Sequence, residues 1–153
     1  MSSVDTIEFY GANKPYGFFS NFYNAPIYIE GVRYDTTEHY FQAMKFPQEP
    51  DYQRAIATAD GPGKAAKLGR SRAHKLRSDW EEIKDEVMTT AVRAKFTSHE
   101  DLRKQMLQTG NAKLVEASPT DAYWGVGADN NGKNMLGIVL MRVRDELAAA
   151  QQD

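Results

Sequence analysis

Two short segments carry the chemistry this sequence can do. Thr37-Glu-His-Tyr-Phe-Gln-Ala-Met-Lys45 sets Glu38, Gln42 and Lys45 at i, i+4 and i+7, one polar stripe of a helix, with Tyr40 and Met44 on another. Glu38 falls in the first turn, where the helix dipole favours its ionised form. On spacing alone it is a good first-turn acid and Lys45 a last-turn base. Asp121-Ala-Tyr-Trp-Gly-Val-Gly127 puts an acid three residues before Trp124, among glycines that expose backbone. A carboxylate, an aromatic plate and bare amides in one loop suit a heterocycle and its sugar, and equally suit a packed aromatic corner.

Basic residues gather between Gly61 and Ser78, where Lys64, Lys67, Arg70, Arg72, Lys75 and Arg77 occur with no acid between them. The chain as a whole has a net charge of −2, so this local excess fits one phosphate of a small ligand better than duplex nucleic acid. Gly127-Ala-Asp-Asn-Asn-Gly-Lys-Asn134 matches G-x-x-x-x-G-K, yet ends in Asn where a P-loop has Ser or Thr for magnesium. Its lead-in is too polar for a central strand, which excludes a nucleoside triphosphatase. It reads as a glycine-rich turn before the last helix, whose amides beside Lys133 could hold an anion. His39, His74 and His99 are scattered, none with a second histidine one turn away, so no metal site is expected. With no cysteine, disulfides, thiolate nucleophiles and Cys-based metal sites are excluded.

The elements that must position these groups are mostly helices. Helical periodicity covers Thr37–Phe46, Asp51–Thr58 and Pro62–Leu68. Ser78-Asp-Trp-Glu81 is a capping box for a helix to about Phe96, with Trp80, Ile83, Val87 and Ala91 on one face. Two more helices start at Ser98 and Asn134, the latter running to Ala149. Strands are expected over Thr6–Tyr10 and Lys113–Ala117, with a hairpin over Pro26–Tyr34 turning at Glu30-Gly31. The fold class is α+β, mainly helical with a small antiparallel β element. One domain over residues 1–150 is expected, with 151–153 as a disordered tail, since 153 residues and a 41% hydrophobic content suit a single globular core. The longest apolar run, Met135–Met141, is far short of the ~20 residues of a membrane span. The N-terminus lacks the pattern of a signal peptide, and a cytoplasmic location is expected.

Taken together, the segments resemble the YbiA-like NADAR family over nearly the whole chain. The resemblance rests on Phe9-Tyr10, Phe19-Ser-Asn-Phe22, Thr37-Glu-His-Tyr-Phe-Gln42 with Lys45-Phe46, and Ala66-Lys-Leu-Gly-Arg70. It continues through Trp80, Arg93-Ala-Lys-Phe96, Lys113-Leu-Val-Glu116, Asp121-Ala-Tyr-Trp-Gly125 and Gly132-Lys-Asn-Met-Leu-Gly137. Each piece alone is weak, and their shared order and spacing are specific. The family's functional positions fall on Glu38, Trp80, Asp121 and Trp124, all intact, while the Ala128–Asn131 stretch is a variable portion.

The resemblance implies N-glycosidase activity on early riboflavin-pathway intermediates, ribosylamino-pyrimidine 5′-phosphates, with release of ribose 5-phosphate and no metal or organic cofactor. Cleavage of such a bond passes through a cationic sugar. Glu38 or Asp121 would stabilise that cation and guide water, and the other would protonate the leaving amine, with the assignment open. Lys45 or Lys95 would supply the amine if a transient Schiff base forms, as suggested for ADP-ribose-directed relatives. Trp80 and Trp124 would stack on the pyrimidine, although Trp80 also fits a core face. Asn21 would bond a ring edge or ribose hydroxyl, and Gly125 belongs to the binding loop. Lys67 and Arg70 would take the 5′-phosphate, with Lys133-Asn134 as rival. Other readings are an ADP-ribosyl hydrolase acting on ADP-ribosylated guanine, with a second phosphate site, and a non-catalytic sensor of ADP-ribose or of a pathway intermediate.

Overall fold

The computed structural model describes residues 5–151. In chain order the elements are β1 (Thr6–Phe9), a 3-10 turn (Gly17–Phe19), β2 (Ile27–Ile29), β3 (Val32–Tyr34), α1 (Thr37–Ala43), α2 (Pro50–Ala57), α3 (Pro62–Gly69), α4 (Trp80–Ser98), α5 (Glu100–Gln108), β4 (Lys113–Glu116) and α6 (Met135–Gln151). The class is α+β, as expected. The hairpin is present, Ile27 opposite Tyr34 and Ile29 opposite Val32, and both Glu30 and Gly31 take the positive φ that a tight hairpin turn requires. A separate parallel pair is formed by β1 beside β4, with Thr6 against Lys113 and Phe9 against Glu116. The β structure is therefore not antiparallel throughout.

Helix ends differ from the periodicity for local reasons. α1 gives way after Ala43 because Lys45 and Phe46 bond the carbonyls of Gln42 and Ala43, a tightened last turn before Pro47. α4 starts one residue later than the capping box places it. The Asp79 carbonyl accepts from Glu82 and Ile83, while its carboxylate holds Arg77 at 2.7 and 3.2 Å. α6 runs through Gln151, and the remainder of the expected tail, residues 152–153, lies outside the described residues.

The contacts divide the chain into two compact units, one of residues 21–95 and one of residues 1–20 with 96–153. In the first, Ile27, Tyr34, Tyr40, Phe46 and Ile56 pack around Ala43, Ala57, Ala65 and Ala91. Those alanines let helix backbones approach closely. Thr36 caps α1 by accepting from the His39 amide at 3.2 Å. Its hydroxyl also meets His39 Nδ1 at 2.8 Å, and His39 Nε2 reaches the Ala59 carbonyl at 2.9 Å. His39 is fully buried and ties the α1 entry to the loop after α2.

In the second unit α6 packs on β4, and Phe9, Phe18, Phe19 and Phe96 form an aromatic cluster, with Phe18 and Phe19 centroids 4.4 Å apart. No described helix is long and apolar enough to cross a membrane. At Gly137 the helix meets the strand so closely that a Cβ would overlap the Leu114 carbonyl oxygen and the Asn134 amide. Gly137→Ala should therefore lower the midpoint of urea unfolding by an amount equivalent to about 2–3 kcal/mol.

Candidate functional site

Within residues 21–95, the start of α1 is anchored by Asn21. Its carbonyl accepts from the Glu38 amide at 3.2 Å and its Oδ1 from the Thr37 hydroxyl at 2.7 Å. Its Nδ2 faces Met88 Sδ at 3.5 Å. Both ends of the Asn21 amide are thus engaged inside the protein. The residue positions α1.

The polar stripe of α1 faces inward. Glu38 is 9% exposed and Gln42 6%, and Gln42 Nε2 donates to Glu38 Oε2 at 2.7 Å. A surface first-turn acid would be solvated, so the bland reading of Glu38 fails here. Lys45 is half-buried, its Nζ 5.7 Å from the Phe41 ring centroid and 5.8 Å from that of Trp80. Burial pushes the Lys45 ammonium below its ordinary pKa; Glu38 opposes this, and Arg72, Arg70 and Lys84 add to it. One carboxylate, one amine, two aromatic rings and several cations thus share a small volume. Trp80 is buried and meets Phe41 edge-on at 5.0 Å, so it forms a wall of this cluster.

Of the three remaining residues singled out in this unit, Lys67 and Lys95 separate from it and Arg70 does not. Lys67 lines a depression of about 750 Å³ with Lys64, Tyr52, Ser71 and His74, whereas Arg70 acts on Lys45. The Tyr52 and His74 rings stack there at 3.5 Å, and His74 Nδ1 meets Glu49 at 2.7 Å. Lys95 is 2% exposed with its Nζ 5.5 Å from the Tyr23 centroid, and burial pushes its pKa down to about 7. Of the two candidate lysines, Lys45 is the one with access to solvent.

In residues 96–151, Asp121 organises a turn. Its Oδ1 accepts from the amides of Tyr123 at 3.0 Å and Trp124 at 2.8 Å, and its own amide donates to Ser118 Oγ. Trp124 is half-buried and meets Tyr123 edge-on at 4.9 Å. The carbonyls of Ala122, Tyr123, Trp124 and Gly125 then accept from Lys133, Met135, Leu136 and Asn134. The amides leading into α6 are consumed by this loop, so only the Lys133 side chain is left to meet an anion there. Lys133 is exposed, its Nζ 5.7 Å from the Tyr123 ring centroid. Asn134, buried and at positive φ, bridges to β4 by accepting from the Glu116 amide and donating to the Leu114 carbonyl, each at 2.9 Å. Gly125 is a packing residue, because a Cβ there would stand 2.8 Å from Glu116 Cγ.

Glu116 was not among the residues picked from the sequence as candidates. Its Oε2 is buried without a hydrogen-bond partner. Burial first, and then the Asp121 charge, push its pKa up to about 7 against a backbone hydrogen bond at Ser118. The sequence signal was slight, an acid closing a short strand just before the Asp121 loop. Among the described residues, no three His, Asp or Glu side chains are grouped to hold a metal ion.

Because Glu116 titrates higher in the native state, the unfolded chain loses this proton first as pH rises from about 4.5 to about 7. Its contribution to stability falls over that window. Glu116→Gln should accordingly raise stability at pH 8 by about 1–2 kcal/mol after allowance for solvent screening, and by much less at pH 5, in paired urea titrations.

The NADAR domain family model matches residues 8–148. The chain is 48% identical to N-glycosidase YbiA of Escherichia coli (strain K12) over 142 residues, 93% of this chain and 88% of that protein. It is 46% identical to N-glycosidase Npun_R5314 of Nostoc punctiforme over 144 residues, 93% of this chain and 92% of that one. With riboflavin biosynthesis protein VVA0006 of Vibrio vulnificus it shares 40% identity over 141 residues, 92% of this chain but 38% of the longer protein. The NMR structure of E. coli YbiA superposes with a TM-score of 0.91 at 45% identity, covering 99% of this chain and 90% of that one. In sequence and in fold alike, the chain belongs to the NADAR domain family.

Proposed function

We propose that the protein is an N-glycosidase that hydrolyses the C1′–N bond of ribosylamino-pyrimidine 5′-phosphates and releases ribose 5-phosphate. The names of the E. coli and Nostoc relatives support the reaction class, and that of the Vibrio relative supports the substrate class. The observation that carries the reading is the Lys45 cluster: an amine of lowered pKa beside the paired Phe41 and Trp80 rings, acted on by the buried Glu38 and by Arg70 and Arg72.

The chemistry assigns each group a task. Positive charge develops at C1′ as the C–N bond lengthens, and the Glu38 carboxylate stabilises it in a site of low dielectric. The same carboxylate takes a proton from the attacking water and passes it to the departing nitrogen, so that the pyrimidine leaves as its free amine. An N-glycoside on an exocyclic amine also opens to an imine. Lys45, whose neutral form burial favours, can add to C1′ of that imine, and the pyrimidine leaves as its free amine. Water then hydrolyses the lysine imine to ribose 5-phosphate. Arg70 and Arg72 suit the 5′-phosphate, which takes over the role first given to Lys67. The separate depression at Lys64 and Lys67 is the feature a second phosphate would need, and it makes ADP-ribosylated guanosine the second substrate to assay.

A product assay with freshly generated ribosylamino-pyrimidine 5′-phosphate tests the reading. Wild type should release ribose 5-phosphate, and Glu38→Gln should lose about 100-fold or more in kcat. Arg70→Ala should raise KM about tenfold for the phosphorylated riboside and leave the unphosphorylated one unchanged. Asp121→Asn keeps the Oδ1 acceptor and hence the turn, so a loss matching that of Glu38→Gln would make Asp121 a second catalytic carboxylate. Turnover of the guanosine adduct alone would move the enzyme to ADP-ribose chemistry, and tight binding without turnover would leave a sensor.

A further inference from the structure

Gln42 has no part in the reaction just described, yet its surroundings are built around its amide. Its Nε2 donates to Glu38 Oε2 at 2.7 Å, both side chains are buried, and its Oε1 is buried with no hydrogen-bond partner. That unequal use of the two ends fixes which way the amide points. A carboxylate has no proton to give, so only the nitrogen can face it. Turned over, the amide would set oxygen against oxygen. On the far side Gly69, the last residue of α3, presses against the same group: a Cβ there would lie 2.6 Å from Gln42 Cδ and overlap Oε1. Any other residue at 69 would push the amide out of line.

We propose that Gln42 is a positioning residue for the glycosidase reaction, holding Glu38 ionised and in one orientation by its single amide hydrogen bond, with Gly69 leaving the room that this amide needs. The inference rests on the assignment of Glu38 as the carboxylate that stabilises C1′. A hydrogen bond donated to a carboxylate favours its charged form, and in a buried setting it also restricts the rotamer. Lys45 on α1 interacts with Glu38, and Arg70 and Arg72, at and beyond the end of α3, and Lys84 on α4 act on Lys45 in turn.

The test is steady-state kinetics over pH for Gln42→Met, Gln42→Glu, Gly69→Ala and Glu38→Gln, with circular dichroism to confirm folding. Gln42→Met keeps the length and removes the donor. It should lower kcat about 10- to 100-fold with KM within about threefold, and move the acid limb of the kcat profile to higher pH. Gly69→Ala should do the same to a smaller degree. Gln42→Glu keeps the shape; as a neutral acid it donates as the amide does, and as an anion it repels Glu38. Its activity should survive at low pH and fall as pH rises, the opposite direction to Gln42→Met. The double variant Glu38→Gln/Gln42→Met should be no slower than Glu38→Gln alone, because Gln42 acts through Glu38. An inactive Glu38→Gln beside a Gln42→Met with an unmoved acid limb, or additive losses in the double variant, would overturn the role of Gln42 alone. Wild-type turnover by Glu38→Gln would overturn the site assignment, and this inference with it.

Discussion

A carboxyl group held at 9% exposure is the constraint around which residues 21–95 are organised. Removing such a group from water is costly unless donors replace the lost hydration. The arrangement near Glu38 supplies those donors from its own helix and keeps that helix fixed from outside. Gln42 lies one turn along, Asn21 holds the Glu38 amide and the Thr37 hydroxyl, and the Thr36–His39–Ala59 chain secures the helix entry. The small residues Ala65, Ala66 and Gly69 then bring α3 close enough to shape the space beside the carboxylate. A seven-residue helix has little stability of its own, so α1 persists because tertiary contacts define it.

The second unit handles its acidic groups differently. Asp121 is satisfied by two backbone amides and fixes a turn, whereas Glu116 is left with an unpaired buried oxygen and retains its proton to about pH 7. Burial first, and then the nearby Asp121 charge, keep the proton on Glu116 against the backbone hydrogen bond at Ser118. Asn134 keeps Glu116 where it is by bonding the backbone at both ends of the Leu114–Glu116 segment, and the carbonyls of residues 122–125 bind the start of α6.

Much of this was legible in the residues. Helical periodicity located every helix, and Glu30-Gly31 gave the hairpin turn, because those signals are local. The groups around Lys45 were also named in advance, from their types and from the family resemblance. What the sequence hid depends on contacts between distant positions. The pairing of Thr6 with Lys113 leaves no local mark, so the parallel pair was unforeseen. Lys67 and Arg70 lie three apart on a basic run, yet one lines the Tyr52–His74 depression and the other acts on Lys45. Glu116 looked like an ordinary strand end, since its isolation comes from Gly125 and the Asp121 loop packing against it. Glu38 and Gln42 read only as a polar stripe, because helical spacing says which residues share a face and not which way the face turns.

The pairing of β1 with β4 has a consequence for biosynthesis. The strand pairs and helix contacts of residues 21–95 lie within that segment, so they can be made as soon as it leaves the ribosome. β1 emerges before it and must wait for Lys113–Glu116, a delay of roughly 5–20 s at ordinary translation speeds. Throughout that interval Ile7 and Phe9, both buried in the finished protein, lack the β4 strand with which they pair. The N-terminal strand is thus the segment on which a trigger-type holding chaperone would act, and slowing elongation between Lys95 and Lys113 would lengthen its exposure without altering a single residue of the product.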